Sequence, residues 1–280
     1  MRHTLPLFLG CVLLSACAAP VTEKPIAVDF VLKAGERPAA CGAPIDGIGG
    51  RRVQISDARL YVHDIRLTTN DGRAVPVTLA ETPFQHDGIA LLDFEDATGA
   101  CRSTPATNTR LTGTVPPGTY SGLSFVIGVP APANHTSATT APAPLNLAAM
   151  GWSWQAGRKF IKIELDPEGG ITRPAGRPGA TWHLHLGSTG CEGDPVQGEA
   201  VTCARPNRIP VTFPAFDPQG QNVVVDLAAL FDGTDVGRDG GGALGCMSGP
   251  DDPDCPGVFR QMGLMPPAAQ PPFLRIEAKK

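Results

Sequence analysis

An all-β fold, an antiparallel β-sandwich with long Pro- and Gly-rich loops and disulfides, is what this sequence predicts, on three observations. The 280 residues contain 33 Gly and 29 Pro, which break helices and mark turns. Between those turn residues, short β-branched or alternating runs recur along the chain. Only 18% of residues are charged, too few for the salt-bridged faces of coiled coils and helix bundles.

Residues 1–16 carry Arg2 and an apolar run over 5–14, too short to span a bilayer, and read as a secretory signal. Leu14-Ser15-Ala16-Cys17 resembles the bacterial lipobox, so Cys17 is expected to be lipidated and to head a lipid-anchored tether over 17–25. Cleavage by the ordinary signal peptidase near Ala18-Ala19 is the alternative. With no internal repeat or clear linker, 26–280 is expected to form a single domain.

That domain opens with an apolar strand over 26–32. Residues 52–55 lead into 58–67, where alternation places Leu60, Val62, Asp64 and Arg66 on one face and Tyr61, His63, Ile65 and Leu67 on the other. Asn70-Asp71-Gly72 is a turn signal, with 74–79 as the returning hairpin strand. Further strands are expected over 88–94, 111–115, 120–129, 152–154, 160–165, 182–186, 209–213 and 222–227. Residues 130–144, rich in Pro, Ala and Thr, predict an extended loop that carries Asn134-His135. A second excursion over 231–256 holds Asp251-Asp252-Pro253-Asp254, which lacks calcium-loop spacing and reads as a solvated loop.

A net charge of −4 and the lack of a Lys- or Arg-rich run exclude a nucleic-acid surface. No G-x-S-x-G, G-x-G-x-x-G, P-loop or H-E-x-x-H motif is present. Export would discard Cys11 and lipidate Cys17, leaving Cys41, Cys101, Cys191, Cys203, Cys246 and Cys255. Six thiols without C-x-x-C spacing in an oxidising compartment predict three disulfides rather than a thiolate metal site. Fifteen connectivities are open; sequence proximity favours Cys191 with Cys203 and Cys246 with Cys255, leaving Cys41 with Cys101.

Trp182-His183-Leu184-His185 places two imidazoles at i and i+2, on one face of a strand, where they could supply nitrogen ligands to zinc or copper. A third ligand must come from elsewhere, with His135, His63 and His86 as candidates; hydrogen bonding at a strand end is the plainer reading. Met150, Trp152 and Trp154 share parity, a stripe that composition alone assigns to packing. Indole N–H only donates, so a tryptophan could ligate metal only after oxidation of its ring.

Several segments together resemble the MbnP family of exported copper-binding proteins, the four-cysteine half of a "metallo-mystery pair". The matching pieces are Gly128-Val129-Pro130 with Asn134-His135, Pro144-Leu145-Asn146, Met150-Gly151-Trp152-Ser153-Trp154-Gln155-Ala156-Gly157 and Lys159-Phe160. To these are added His185-Leu186-Gly187-Ser188-Thr189-Gly190-Cys191, Cys203 with Asn207-Arg208, and Gly245-Cys246-Met247-Ser248-Gly249-Pro250 with Cys255. The resemblance implies a Cu(I)-type site of histidines and a kynurenine, made from tryptophan by an MbnH-type di-haem partner related to cytochrome c peroxidases. His135 and His185 lie in matching motifs and are the expected ligands; Trp152 and Trp154, then Trp182, are the candidates for oxidation. His63 and His183 fall outside the recurrent pattern as extra ligands or structural groups, and Arg158 stands where the family usually has an aromatic.

The expected protein is thus a non-catalytic, copper-binding lipoprotein of the bacterial cell envelope, periplasm-facing or on the surface, held to the membrane by its lipid alone. The alternatives are a His-x-His zinc or copper enzyme of the envelope and a metal-free structural lipoprotein.

Overall fold

A computed structural model describes residues 22–153, 157–268 and 270–280. The signal segment, Cys17 and Trp154 lie outside the described residues. Among the described residues two large sheets pack face to face, as the fold class requires, with two two-stranded pairs beside them. One is ordered Leu274–Ala278, Gln221–Asp226, Lys24–Ala34, Arg110–Val115, Thr78–Leu79. The other is ordered Ile209–Phe213, Tyr120–Ile127, Arg51–Thr69, Ile161–Pro167, Trp182–Leu186, Gly245–Cys246.

Alternation along these strands makes the core between the sheets. Phe30 of the first sheet meets Phe125 of the second edge to face, 5.7 Å between ring centroids, and Phe125 in turn contacts Phe213. Pairing is antiparallel except where Lys24–Ala34 runs parallel to Gln221–Asp226, and Trp182–Leu186 parallel to Gly245–Cys246. Neither parallel pair joins strands adjacent in the chain, so each has a connection long enough to cross over.

Local irregularities explain where simple alternation fails. The expected strands at 52–55 and 58–67 are one strand, Arg51–Thr69, but its phase changes at Asp64, which takes φ 50° at a register shift against Tyr120–Ile127. The bulge exposes Asp64 and returns Ile65 and Leu67 to the buried side that Val62 occupies. The anticipated hairpin strand at 74–79 divides: Ala74–Pro76 pairs with Arg51–Thr69, while Thr78–Leu79 crosses to the other sheet. Residues 130–144 include a short helical turn, Ala131–Asn134, with Pro130 before it, a position where the missing N–H costs nothing. The second excursion carries the Gly245–Cys246 strand and runs into the helix Cys255–Gln261.

All three disulfides form in the favoured pairing, Cys41–Cys101, Cys191–Cys203 and Cys246–Cys255. Among the described residues no helix is long and apolar enough to cross a membrane.

Candidate metal centre

Period-two alternation in Trp182–Leu186 sends Trp182, Leu184 and Leu186 into the core and His183 and His185 to the opposite face. The neighbouring strand has the same pattern, Ile161, Ile163 and Leu165 buried and Lys162 and Glu164 on the histidine side. Antiparallel register sets Lys162 opposite His185 and Glu164 opposite His183, so Glu164 also lies diagonal to His185. Its Oε1 accepts from His185 Nε2 at 2.7 Å, and His183 Nδ1 approaches the same oxygen at 3.2 Å without hydrogen-bond alignment. The two imidazole centroids are 5.1 Å apart.

Beyond these strands the row continues into Arg51–Thr69. Lys162 Nζ bridges Glu164 Oε2, at 3.1 Å, and Asp57, while fully buried Arg59 donates to Asp57, Asp93 and Glu95. Burial pushes the Glu164 carboxyl up, but the two imidazoles and the Lys162 ammonium outweigh it, holding it well below the usual carboxylate range. Burial also pushes the His185 imidazole down, against the opposing carboxylate, so at neutral pH it is uncharged and has a lone pair to give.

The tryptophan motif reaches the same place. Trp152 sits in the short strand Gly151–Ser153, and its ring stands perpendicular to His185 with centroids 6.5 Å apart. Its six-membered ring packs on Gly187, where a Cβ would come within 2.8 Å of Cζ3. Only glycine admits that approach.

His135 ends the Ala131–Asn134 turn and is buried beside the Cys191–Cys203 bridge, with Cys203 Sγ 3.6 Å from Nε2. The side-chain amide of Asn134 lies 3.1 Å from that nitrogen. His135, Cys191 and Cys203 cluster closely enough to suggest a metal group, yet the two sulfurs are bonded to each other and offer no thiolate. Gly157, at φ 79°, leaves room for Asn134, whose Nδ2 would lie 2.5 Å from any Cβ there. Next to it, Arg158 donates its backbone N–H to Asn134 Oδ1, and its own carbonyl lies against Gly187. The segments bearing His135, Trp152 and His185 thus meet around Gly157–Arg158.

The other expected residues are placed elsewhere. His63 donates from Nδ1 to the Gly128 carbonyl at 2.9 Å and joins neither donor cluster among the described residues. His86 pairs with Glu81. Trp182 is fully buried against Phe231, on the face of its strand away from both histidines. Glu164 and Lys162 escaped sequence reasoning, although Ile161-Lys162-Ile163-Glu164-Leu165-Asp166 alternates strictly and its charged face was a signal.

As a donor set, Glu164, His183 and His185 place one ligand atom each within 4.8 Å of one another, half-buried, and imidazoles suit zinc or copper. The residues fit a late transition metal. A family model described as MbnP matches residues 23–248. The solved structure of MbnP from Methylosinus trichosporium is similar at 40% identity with a TM-score of 0.87, covering 93% of this chain and all of that one. No curated protein matches the chain.

Proposed function

Because this chain belongs to the MbnP family, we propose that it is a copper-binding, non-catalytic protein of the cell envelope that holds Cu(I) next to His185. The observation that carries this reading is the perpendicular contact between Trp152 and His185. Neutral His185 offers a nitrogen, His183 stands beside it, and His135 enters from the Gly157–Arg158 side. Indole cannot complete the set, but opening of its ring to kynurenine frees an aniline nitrogen with a lone pair. In this reading a di-haem MbnH-type partner catalyses the oxidation, with dioxygen or peroxide supplying the oxygen and the lost ring carbon leaving as formate. Of the two described tryptophans, Trp152 is the better supported, since Trp182 faces the core, and Trp154 stays a candidate beside it. Three disulfides suit an oxidising compartment, and a lipid on Cys17, with the segment ahead of the Lys24–Ala34 strand as a tether, would hold the domain at the membrane surface.

The test is a Cu(I) competition titration of protein co-produced with the partner. His185→Ala and His135→Ala should each weaken binding sharply with the fold retained, and His86→Ala should not. Parent-like affinity in either of the first two variants would remove that residue from the site.

A second reading follows from the two-histidine, one-carboxylate set, which suits an open, catalytic zinc or copper centre. Lys162 counts against it, because its ammonium already neutralises the carboxylate that a divalent ion would need. Turnover by protein with unmodified tryptophans would favour it.

A further inference from the structure

We propose that Glu164 is a positioning residue that fixes the tautomer of His185, so that Nδ1 carries the lone pair offered to copper; this rests on the copper reading above. A neutral imidazole has one N–H and one lone pair, and a carboxylate can only accept. Glu164 Oε1 lies 2.7 Å from His185 Nε2, so Nε2 must hold the proton and Nδ1 is left as the donor nitrogen. Carboxylates that accept from the remote nitrogen of a ligating histidine orient the ring and raise its basicity.

The carboxylate is itself held. Lys162 takes the other oxygen, Oε2, at 3.1 Å and reaches back to Asp57, which is anchored by buried Arg59. Each group in this row from Arg59 to His185 has its partner on the adjacent strand or its own, and the Lys162 contact on Oε2 leaves Oε1 for His185, diagonal to Glu164. Rotation of Glu164 away from His185 would break the Lys162 contact as well.

Glutamine and alanine replacements separate this role from a merely structural one. In Glu164→Gln the Lys162 ammonium needs an acceptor, so the amide oxygen turns to it and the NH2 faces His185. Nε2 must then accept, which moves the proton to Nδ1, the nitrogen that this proposal assigns to copper. In Glu164→Ala nothing dictates the tautomer. Copper affinity should therefore fall in the order parent, Ala variant, Gln variant, with the Gln variant weakened about ten- to a hundredfold. A structural role or direct ligation by Glu164 gives the reverse order, since Gln preserves shape and an oxygen donor.

The second measurement needs no copper. Long-range proton–nitrogen NMR of the metal-free protein should show His185 protonated at Nε2 in the parent, at Nδ1 in the Gln variant and mixed in the Ala variant. An Nδ1–H tautomer in the parent, or an Ala variant weaker than the Gln variant, overturns the inference. Failure of the copper reading itself would show differently, as a parent that binds no Cu(I) while its tautomer remains Nε2–H.

Discussion

Arg158 and Asn134 hold each other twice: the backbone N–H of Arg158 donates to Asn134 Oδ1 at 3.0 Å, and its guanidinium Nη1 donates to the Asn134 carbonyl at 2.7 Å. The same guanidinium donates to the carbonyls of Ala133 and Leu145, so one buried cation collects the open ends of the segment that presents His135. Among the described residues no carboxylate pairs with it, and burial pushes its pKa down. The interaction is with backbone dipoles.

Arg158→Met should therefore cost about 2 kcal/mol or more, because the buried carbonyls of Asn134 and Leu145 lose a charged donor. The loss should be concentrated around His135. Hydrogen exchange across 131–147 together with chemical denaturation checks this, and copper affinity should fall along with His135 order. A variant as stable as the parent with unchanged exchange would show that the carbonyls find other donors.

The disulfides predict a graded response. Thiol alkylation of denatured, unreduced protein should label none of Cys41, Cys101, Cys191, Cys203, Cys246 and Cys255. Cys41 and Cys101 are 60 residues apart, against 12 for Cys191 and Cys203. Replacing both members of a pair by Ala should cost about 4 kcal/mol for the first and about 3 kcal/mol for the second on loop-closure grounds. The shorter bridge should matter more for copper, since His135 packs on it.

What was legible in the sequence follows from the range of each interaction. The histidine face of 182–185 and the close cysteine pairs depend on neighbours a few residues apart, and local spacing reveals them. Glu164 sits on an equally plain strand, but its value comes from register against His183 and His185, which no local pattern encodes. Arg158 looks in the sequence like one more polar residue after a glycine, and only the folded loop shows why a cation belongs there. The bulge at Asp64 was hidden for another reason: the residue looks like one more polar position until its positive φ shifts the phase.

Asp254 sets a pH dependence of its own, in the loop that precedes the Cys255–Gln261 helix. Burial, with the nearby charges of Asp239 and Asp252, raises its pKa to about 6 against the Gly240 N–H that it accepts. Asp239 has Arg173 on Oδ2 and no hydrogen-bond partner on Oδ1 among the described residues, so protonated Asp254 has an acceptor waiting. Between the ordinary aspartate value of about 4 and this raised value, the folded chain binds more protons than the unfolded chain. Stability from this pair is full below that window and declines as pH rises through it. Asp254→Asn, which mimics the protonated form, should flatten the profile from pH 4 to 6.5 and raise the melting temperature at pH 7, as scanning calorimetry across that range would show. An unchanged slope would assign the decline to other groups.

Trp152 and Trp182 offer the sharpest contrast, because Trp182 lies on the histidine strand but on its core face, while Trp152 comes from another strand to meet the histidine face. Trp182→Phe should lower stability by about 1–3 kcal/mol through lost packing against Phe231, and should leave copper affinity within a few-fold of the parent. Trp152→Phe should barely change stability, since the ring is only half-buried, yet should abolish whatever affinity is gained by co-production with the di-haem partner. A tryptic map of parent protein made with and without the partner supplies the chemistry: fragmentation of the peptide 111–158, which carries both Trp152 and Trp154, should place the mass change of kynurenine at Trp152, and only in the first preparation. Modification at Trp182, which is fully buried, would instead point to oxidation at a distance through the core. Equal copper affinity in both preparations, with every tryptophan intact, would remove the maturation step and leave a plain histidine site at His183 and His185.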